Sequence, residues 1–191
     1  GSFTQHPFVW SPGEGMIDIH QLGDAGALAT RINNRGVVAG YTLPGAAFES
    51  RAFTWSRGSG MVDIGAYPGG FMGGSNGGVW GLSGGGQIVA TSTFPGDEIT
   101  RNLLWIGGAG PLVFGGEMDT YQRLAINDVG EVAGSDHADG TGPPVAAVWP
   151  LALTAAERAD GLRYLVEALV LRGALSPHTA TVLASKLRKE G

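Results

Sequence analysis

No cysteine occurs in the 191 residues. Disulfide frameworks, cysteine-type zinc sites and thiol nucleophiles are therefore excluded, while the cellular compartment is left open by this count. Charge is scarce as well. Only 15% of residues are charged, and 12 Lys and Arg against 17 Asp and Glu give a formal net charge of −5. A nucleic-acid surface needs clustered cations to neutralise phosphates. The basic cluster that exists, Lys186, Arg188 and Lys189, sits at the C-terminal end, where it complements a helix dipole. No nucleic-acid partner is expected. No apolar run reaches the roughly 18 residues of a membrane span, and no signal peptide is visible behind the opening Gly1-Ser2, which reads as an expression scar.

Glycine is the residue in excess, with 34 copies, more than twice the average usage of about 7%. The absence of a G-X-Y period excludes collagen, and the apolar runs between glycines exclude a disordered linker because they bury surface. A chain of many short strands and tight turns is left.

Those strands repeat. Phe8-Val9-Trp10 followed by Gly15-Met16-Ile17-Asp18-Ile19 returns as Phe53-Thr54-Trp55 with Gly60-Met61-Val62-Asp63-Ile64, and again as Leu103-Leu104-Trp105 with Gly110-Pro111-Leu112-Val113-Phe114. A fourth copy, Ala147-Val148-Trp149, is cut short by Pro150. The second recurring piece is Ile32-Asn33-Asn34-Arg35-Gly36-Val37-Val38-Ala39-Gly40, matched by the segments that start at Leu82 and Ile126. From the leading apolar residue to the next tryptophan is 23 residues in all three cases, whereas the return from tryptophan takes 22, 27 and 21. A constant module with variable connectors is the signature of stacked units joined by surface loops. Asn-Asn, Gly-Gly or Asn-Asp ahead of a glycine is hairpin chemistry. Each unit therefore reads as two hairpins, four strands in 44 to 50 residues, the size of a propeller blade.

The expected fold is all-β over residues 3–150, propeller-like, with a threefold β-prism or β-trefoil as the alternative. The INN/IND-x-G-x-V-x-G segment, the following A-F-x-W and the G-M-x-D-I segment resemble the HAF repeat of predicted bacterial extracellular proteins. The match runs over most of residues 6–149 and is weakest where Ser83-Gly84-Gly85 replaces the Asn pair and Pro111 replaces Met. The resemblance implies a repeat architecture and an extracellular or periplasmic address. It carries over no catalytic residue.

From Thr154 glycine thins out and a helical period appears. Thr154 with Glu157 forms a capping box, Leu162, Leu165, Val166 and Leu169 share a face, and Gly173 is placed to end the helix. Ser176-Pro177 then starts a second helix. Residues 151–191 are thus expected to be a helical hairpin. Its L-x-x-L-V and K-L segments resemble the first half of a small helical domain appended to other exported repeat proteins.

Three stretches carry candidate chemistry. Gly81-Leu82-Ser83-Gly84-Gly85 fits the G-x-S-x-G elbow, which works only on a strand–turn–helix; the repeat register makes Ser83 a hairpin turn residue instead. The glycine run 69–78 lacks the helix N-terminus of a phosphate cradle and reads as a connector. Asp136, His137 and Asp139 form the best divalent-metal candidate. They lie in the third copy of a loop whose earlier copies span 41–50 and 91–100, so a ring of units gathers Glu49, Asp97, Glu98, Asp136 and His137 at one rim. Trp10, Trp55, Trp105 and Trp149 recur once per unit and read as core. Trp80 does not recur, since Thr30 and Leu124 hold the equivalent positions, which makes it the candidate ligand platform.

The expected function is a non-catalytic binding or scaffolding module of an exported repeat protein, taking a carbohydrate or protein ligand. A polysaccharide hydrolase or lyase using the acidic rim, and a metal-stabilised structural repeat, are the competing expectations. Three units fall short of the four or more blades of a closed propeller, so a homo-oligomer or a longer repeat chain is expected.

Overall fold

The computed structural model describes residues 5–22, 26–43, 50–65, 77–93, 100–106, 111–118, 123–136 and 145–150, together with Ser176, His178, Thr179 and Thr181. Among the described residues, thirteen strands fall into four separate antiparallel sheets. The first holds β1 (Phe8–Ser11) and β2 (Gly15–Asp18). The second runs in order β3 (Ala27–Ile32), β4 (Val38–Thr42), β5 (Ala52–Ser56) and β6 (Gly60–Gly65). The third repeats it with β7 (Gly78–Leu82), β8 (Ile88–Thr93), β9 (Thr100–Trp105) and β10 (Leu112–Met118). The last consists of β11 (Ala125–Ile126), β12 (Glu131–Asp136) and β13 (Val145–Pro150). These are called sheets I to IV.

The repeat fixes the meander through its turns. Asn33, Ser83 and Asn127 stand at one position, between the first and second strands of sheets II, III and IV. The N–H of each donates to the carbonyl four residues on, and its own carbonyl accepts from the glycine three residues on. The side chains repeat the pattern. Asn33 Oδ1 accepts the N–H groups of Arg35 and Val37 at 3.0 and 3.1 Å, and Asn127 Oδ1 those of Val129 and Glu131 at 3.2 and 2.8 Å. Ser83 Oγ accepts the Gln87 N–H at 3.1 Å. A short polar side chain thus closes the loop on its own backbone. The obligatory glycines, Gly36, Gly86 and Gly130, hold φ of 72°, 91° and 88°, a region that costs any other L-residue about 1–2 kcal/mol.

Because side chains alternate along a strand, each sheet has two faces, and the repeat gives them different contents. One, here the front, carries the repeated tryptophan; the other, the back, carries smaller aliphatic residues. Phe53, Trp55 and Met61 on the front of sheet II pack onto Val9, Ile17 and Ile19 on the back of sheet I. Ile88, Leu103 and Trp105 on the front of sheet III meet Ala39, Ala52 and Ile64 on the back of sheet II. Val132 and Trp149 of sheet IV meet Val89, Leu104 and Phe114 of sheet III. Sheet III is covered on both faces. Its strand β8 is correspondingly buried at every residue from Ile88 to Ser92, and its sequence is apolar without alternation over Ile88-Val89-Ala90.

Close approach explains the remaining repeat glycine. A Cβ on Gly40 would fall 2.0 Å from the Leu28 carbonyl oxygen and 2.7 Å from the Phe53 ring. The equivalent residue in sheet III is Ala90, opposite Leu103 instead of Phe53. The first strands β3, β7 and β11 lie beside one another, so the sheets draw together on that side.

Two expectations need correction or restriction. Trp10 is not core: it is 61% exposed, while Trp55 and Trp105 are 6% and 3% exposed. Its face of sheet I has no sheet in front of it among the described residues. The expected helical hairpin of 151–191 lies outside the described residues, apart from a short piece in which His178, Thr179 and Thr181 are helical and Ser176 Oγ accepts the Thr179 N–H at 3.1 Å. That is the capping geometry the Ser-Pro pair announces. No described helix is long and apolar enough to cross a membrane.

Two tryptophans at one repeat position thus sit in opposite environments. Trp55→Ala is expected to cost about 3–5 kcal/mol, and Trp10→Ala under about 1 kcal/mol. Urea unfolding of the two variants checks this, and equal losses would refute the assignment of faces.

Candidate functional site

Hydrogen bonds between neighbouring turns decide which edge of the stack is which. Asn33 Nδ2 donates to the Ser83 carbonyl at 2.9 Å, and Gly84 N–H donates to the Asp128 carboxylate. Thr30 Oγ1 donates to the Val79 carbonyl at 2.8 Å, and Arg31 Nε to the carbonyl of Trp80. The first-to-second-strand turns of sheets II, III and IV therefore stand in a row. In an antiparallel meander the second-to-third-strand connectors must leave from the opposite edge. Those connectors are residues 43–51, 94–99 and 137–144, the three loop copies singled out by the repeat.

Of the acidic candidates, Glu49, Asp97, Glu98, His137 and Asp139 lie outside the described residues. Asp136 is the last residue of β12, its backbone opposite Val145. The strand ends that carry these connectors are built of small hydroxyl residues. Thr42, Ser50, Thr91, Ser92 and Thr100 are each 1% exposed or less. The Arg51 N–H donates to Thr42 Oγ1 at 3.0 Å, and the Thr93 and Thr100 hydroxyls lie 3.1 Å apart.

Trp80 is half-buried in the core between sheets III and IV. Its Nε1 donates to Thr91 Oγ1 at 2.6 Å. A Cβ placed on Gly78 would touch its six-membered ring at 3.3 Å. The indole therefore lies along β7 over Gly78 and leans toward the connector edge. The Arg123 guanidinium stands 5.5 Å from the ring centroid, within cation–π range. Thr91 faces Asn102 across the β8–β9 pair. Asn102 is fully buried, and among the described residues neither its Oδ1 nor its Nδ2 has a hydrogen-bond partner. An unsatisfied buried amide costs about 1–3 kcal/mol, so Asn102, at the end of the row begun by Trp80 and Thr91, holds unused polar capacity.

A second cluster is assembled by the fold from residues apart in sequence, His6, Asp18 and His20. The chain brings both histidines to Asp18. His6 Nδ1 lies 2.6 Å from Asp18 Oδ2, the His20 N–H donates to Asp18 Oδ1 at 2.9 Å, and the two imidazoles stand 4.7 Å apart. The hydrogen bond from His6, then that from the His20 backbone, holds the Asp18 carboxyl below its ordinary 3.8. The signal was present but spread over fifteen residues, and the hairpin register that pairs Phe8 with Asp18 was needed to read it. Among the described residues, no group of three or more His, Asp or Glu is arranged to hold a metal ion.

Ser83 is a turn residue, as its register implied. It is buried, bonded through Oγ to Gln87, and followed by strand β8 rather than a helix. The glycine run 69–78 lies outside the described residues except for Gly77 and Gly78. Comparison with family models, curated proteins and solved structures gives no match.

Two outcomes are expected. Asn102→Val trades two unpartnered polar atoms for a strand-forming side chain, and its thermal midpoint should equal or exceed that of the parent; a drop of several degrees would reveal a hidden partner for the amide. Asp18, whose pKa is depressed, stabilises the fold above the ordinary carboxylate range and loses that contribution as pH falls through its folded pKa. Carbon-detected NMR titration should place Asp18 below 3.8 and move it upward in His6→Ala. An unmoved titration would refute the pairing.

Proposed function

We propose that this chain is a non-catalytic binding and scaffolding module of an exported repeat protein, its sheets fanned like propeller blades and its ligand taken at the connector edge. The observation that carries this reading is the row of hydrogen-bonded turns, which leaves the strand ends at which the three second-to-third-strand connectors begin on the opposite edge. Rigid strands with variable loops gathered at one edge are how repeat scaffolds build a recognition surface. The connectors bring Glu49, Asp97, Glu98, His137 and Asp139, with Asp136 at the end of β12. Carboxylates carried in these connector sequences, together with the indole of Trp80, suit the hydroxyls and apolar faces of a carbohydrate. The resemblance to HAF repeats supports export and brings no catalytic group with it.

A glycan array read with the intact chain tests this. Binding without release of shorter sugars is expected, weakened at least tenfold in an Asp97→Asn, Glu98→Gln double variant whose melting temperature is unchanged. Release of sugar fragments from a bound glycan would overturn the non-catalytic reading in favour of a polysaccharide hydrolase or lyase.

A further inference from the structure

Phe8, Trp10 and Met16 hold the same repeat positions as Phe53, Trp55 and Met61. The second set is buried to 0%, 6% and 8% exposure against the back of sheet I, while the first set is 53%, 61% and 68% exposed. Phe8 and Trp10 are two residues apart on β1, and Trp10 pairs with Met16 across the sheet. The three side chains therefore form one patch of on the order of 400 Å², a size that marks an interaction surface. Beside it, a cavity of about 300 Å³ opens at the edge of β1, lined by Phe8, Val9, Trp10, Val38 and the β3 segment Ala29 to Ile32.

At the far end of the stack no described sheet covers the opposite kind of face. Val148 in β13 is 65% exposed, and Ala125 and Ala133 beside it are exposed. Val148 holds the position of Leu104 and Val9, and Ala133 that of Val89 and Ala39. In each earlier sheet those positions receive the tryptophan face of the next sheet. Among the described residues the stack thus runs from a front at sheet I to a back at sheet IV, and three contacts inside it show that front meets back.

We propose that the Phe8–Trp10–Met16 face is a docking surface for the Ala133–Val148 face of a second copy of this chain. The contact continues the sheet-to-sheet series already present in one copy. It joins faces: Ala133 lies on β12, which is already paired on both edges, with β11 and with β13. Such a contact is heterologous: each copy uses a different surface, and a pair closes on itself only when both ends engage. This surface is distinct from the connector edge, and its test does not depend on any ligand there.

Trp10→Glu and Val148→Glu both change exposed side chains, so folding is checked simply by circular dichroism and melting temperature. Light scattering on the intact chain from about 1 to 200 µM is expected to show a mass at least twice that of the monomer. Each variant alone should be monomeric, since each has lost one of the two faces. Mixed in equal amounts they should form a one-to-one pair, because Val148→Glu keeps the front and Trp10→Glu keeps the back. A monomeric parent over the whole range overturns the proposal and leaves the face to a sheet from another chain. A Val148→Glu variant that still associates, or a mixture that stays monomeric, overturns the head-to-tail geometry.

Discussion

Each sheet of this chain presents two unlike faces, and the fold follows from pressing one kind against the other. The front is bulky, with a tryptophan at its centre; the back is low and aliphatic. Trp55 over Val9, Trp105 over Ala39 and Trp149 over Leu104 are the same contact made three times. Its demands reach outward. Gly40 is tied to the Phe53 ring, and a methyl group there would strike both the ring and the Leu28 carbonyl. Trp105 also donates its Nε1 to the Ile64 carbonyl of the preceding sheet at 3.1 Å, so one indole supplies both dispersion and a directed bond across the gap.

The four-stranded unit was legible because the physics that sets it is local. An Asn or Ser that folds onto its own backbone, a glycine held at positive φ and a fixed interval to tryptophan all act within about two dozen residues. The order and register of sheets II and III follow directly from them. Burial of each copy was not legible, because it depends on neighbours and not on the unit. Trp10 and Trp55 hold the same repeat position, yet among the described residues only Trp55 has a sheet in front of it. The His6–Asp18–His20 cluster was hidden for a related reason: its members come together only once one hairpin has chosen its register. Trp80 stands out in the sequence as the exception to the repeat, which is a negative signal. The chain of contacts from Trp80 to Thr91 and on to Asn102 needed the strand pairing.

The two edges of the stack divide labour between them. On one, side chains of successive turns reach across to the next sheet, so Asn33, Ser83, Gly84 and Asp128 are bound to one another and little freedom is left to their sequence. On the other, the connectors start from buried hydroxyls such as Thr42 and Thr91 that hold the strand ends. The loops are free to differ in length and charge without disturbing the interior. Structure is concentrated at the first edge and chemical variety at the second.

A stack whose faces differ has a sense, as a row of nested cups does. Every cup accepts the one behind it and fits into the one ahead. Duplicating a single unit within the gene would insert a sheet that both of its new neighbours already know how to meet. Such a chain lengthens in whole units at no cost in redesigned interior, and the spacings of 50 and 44 residues between successive turns show that the units tolerate unequal loops once they are in place.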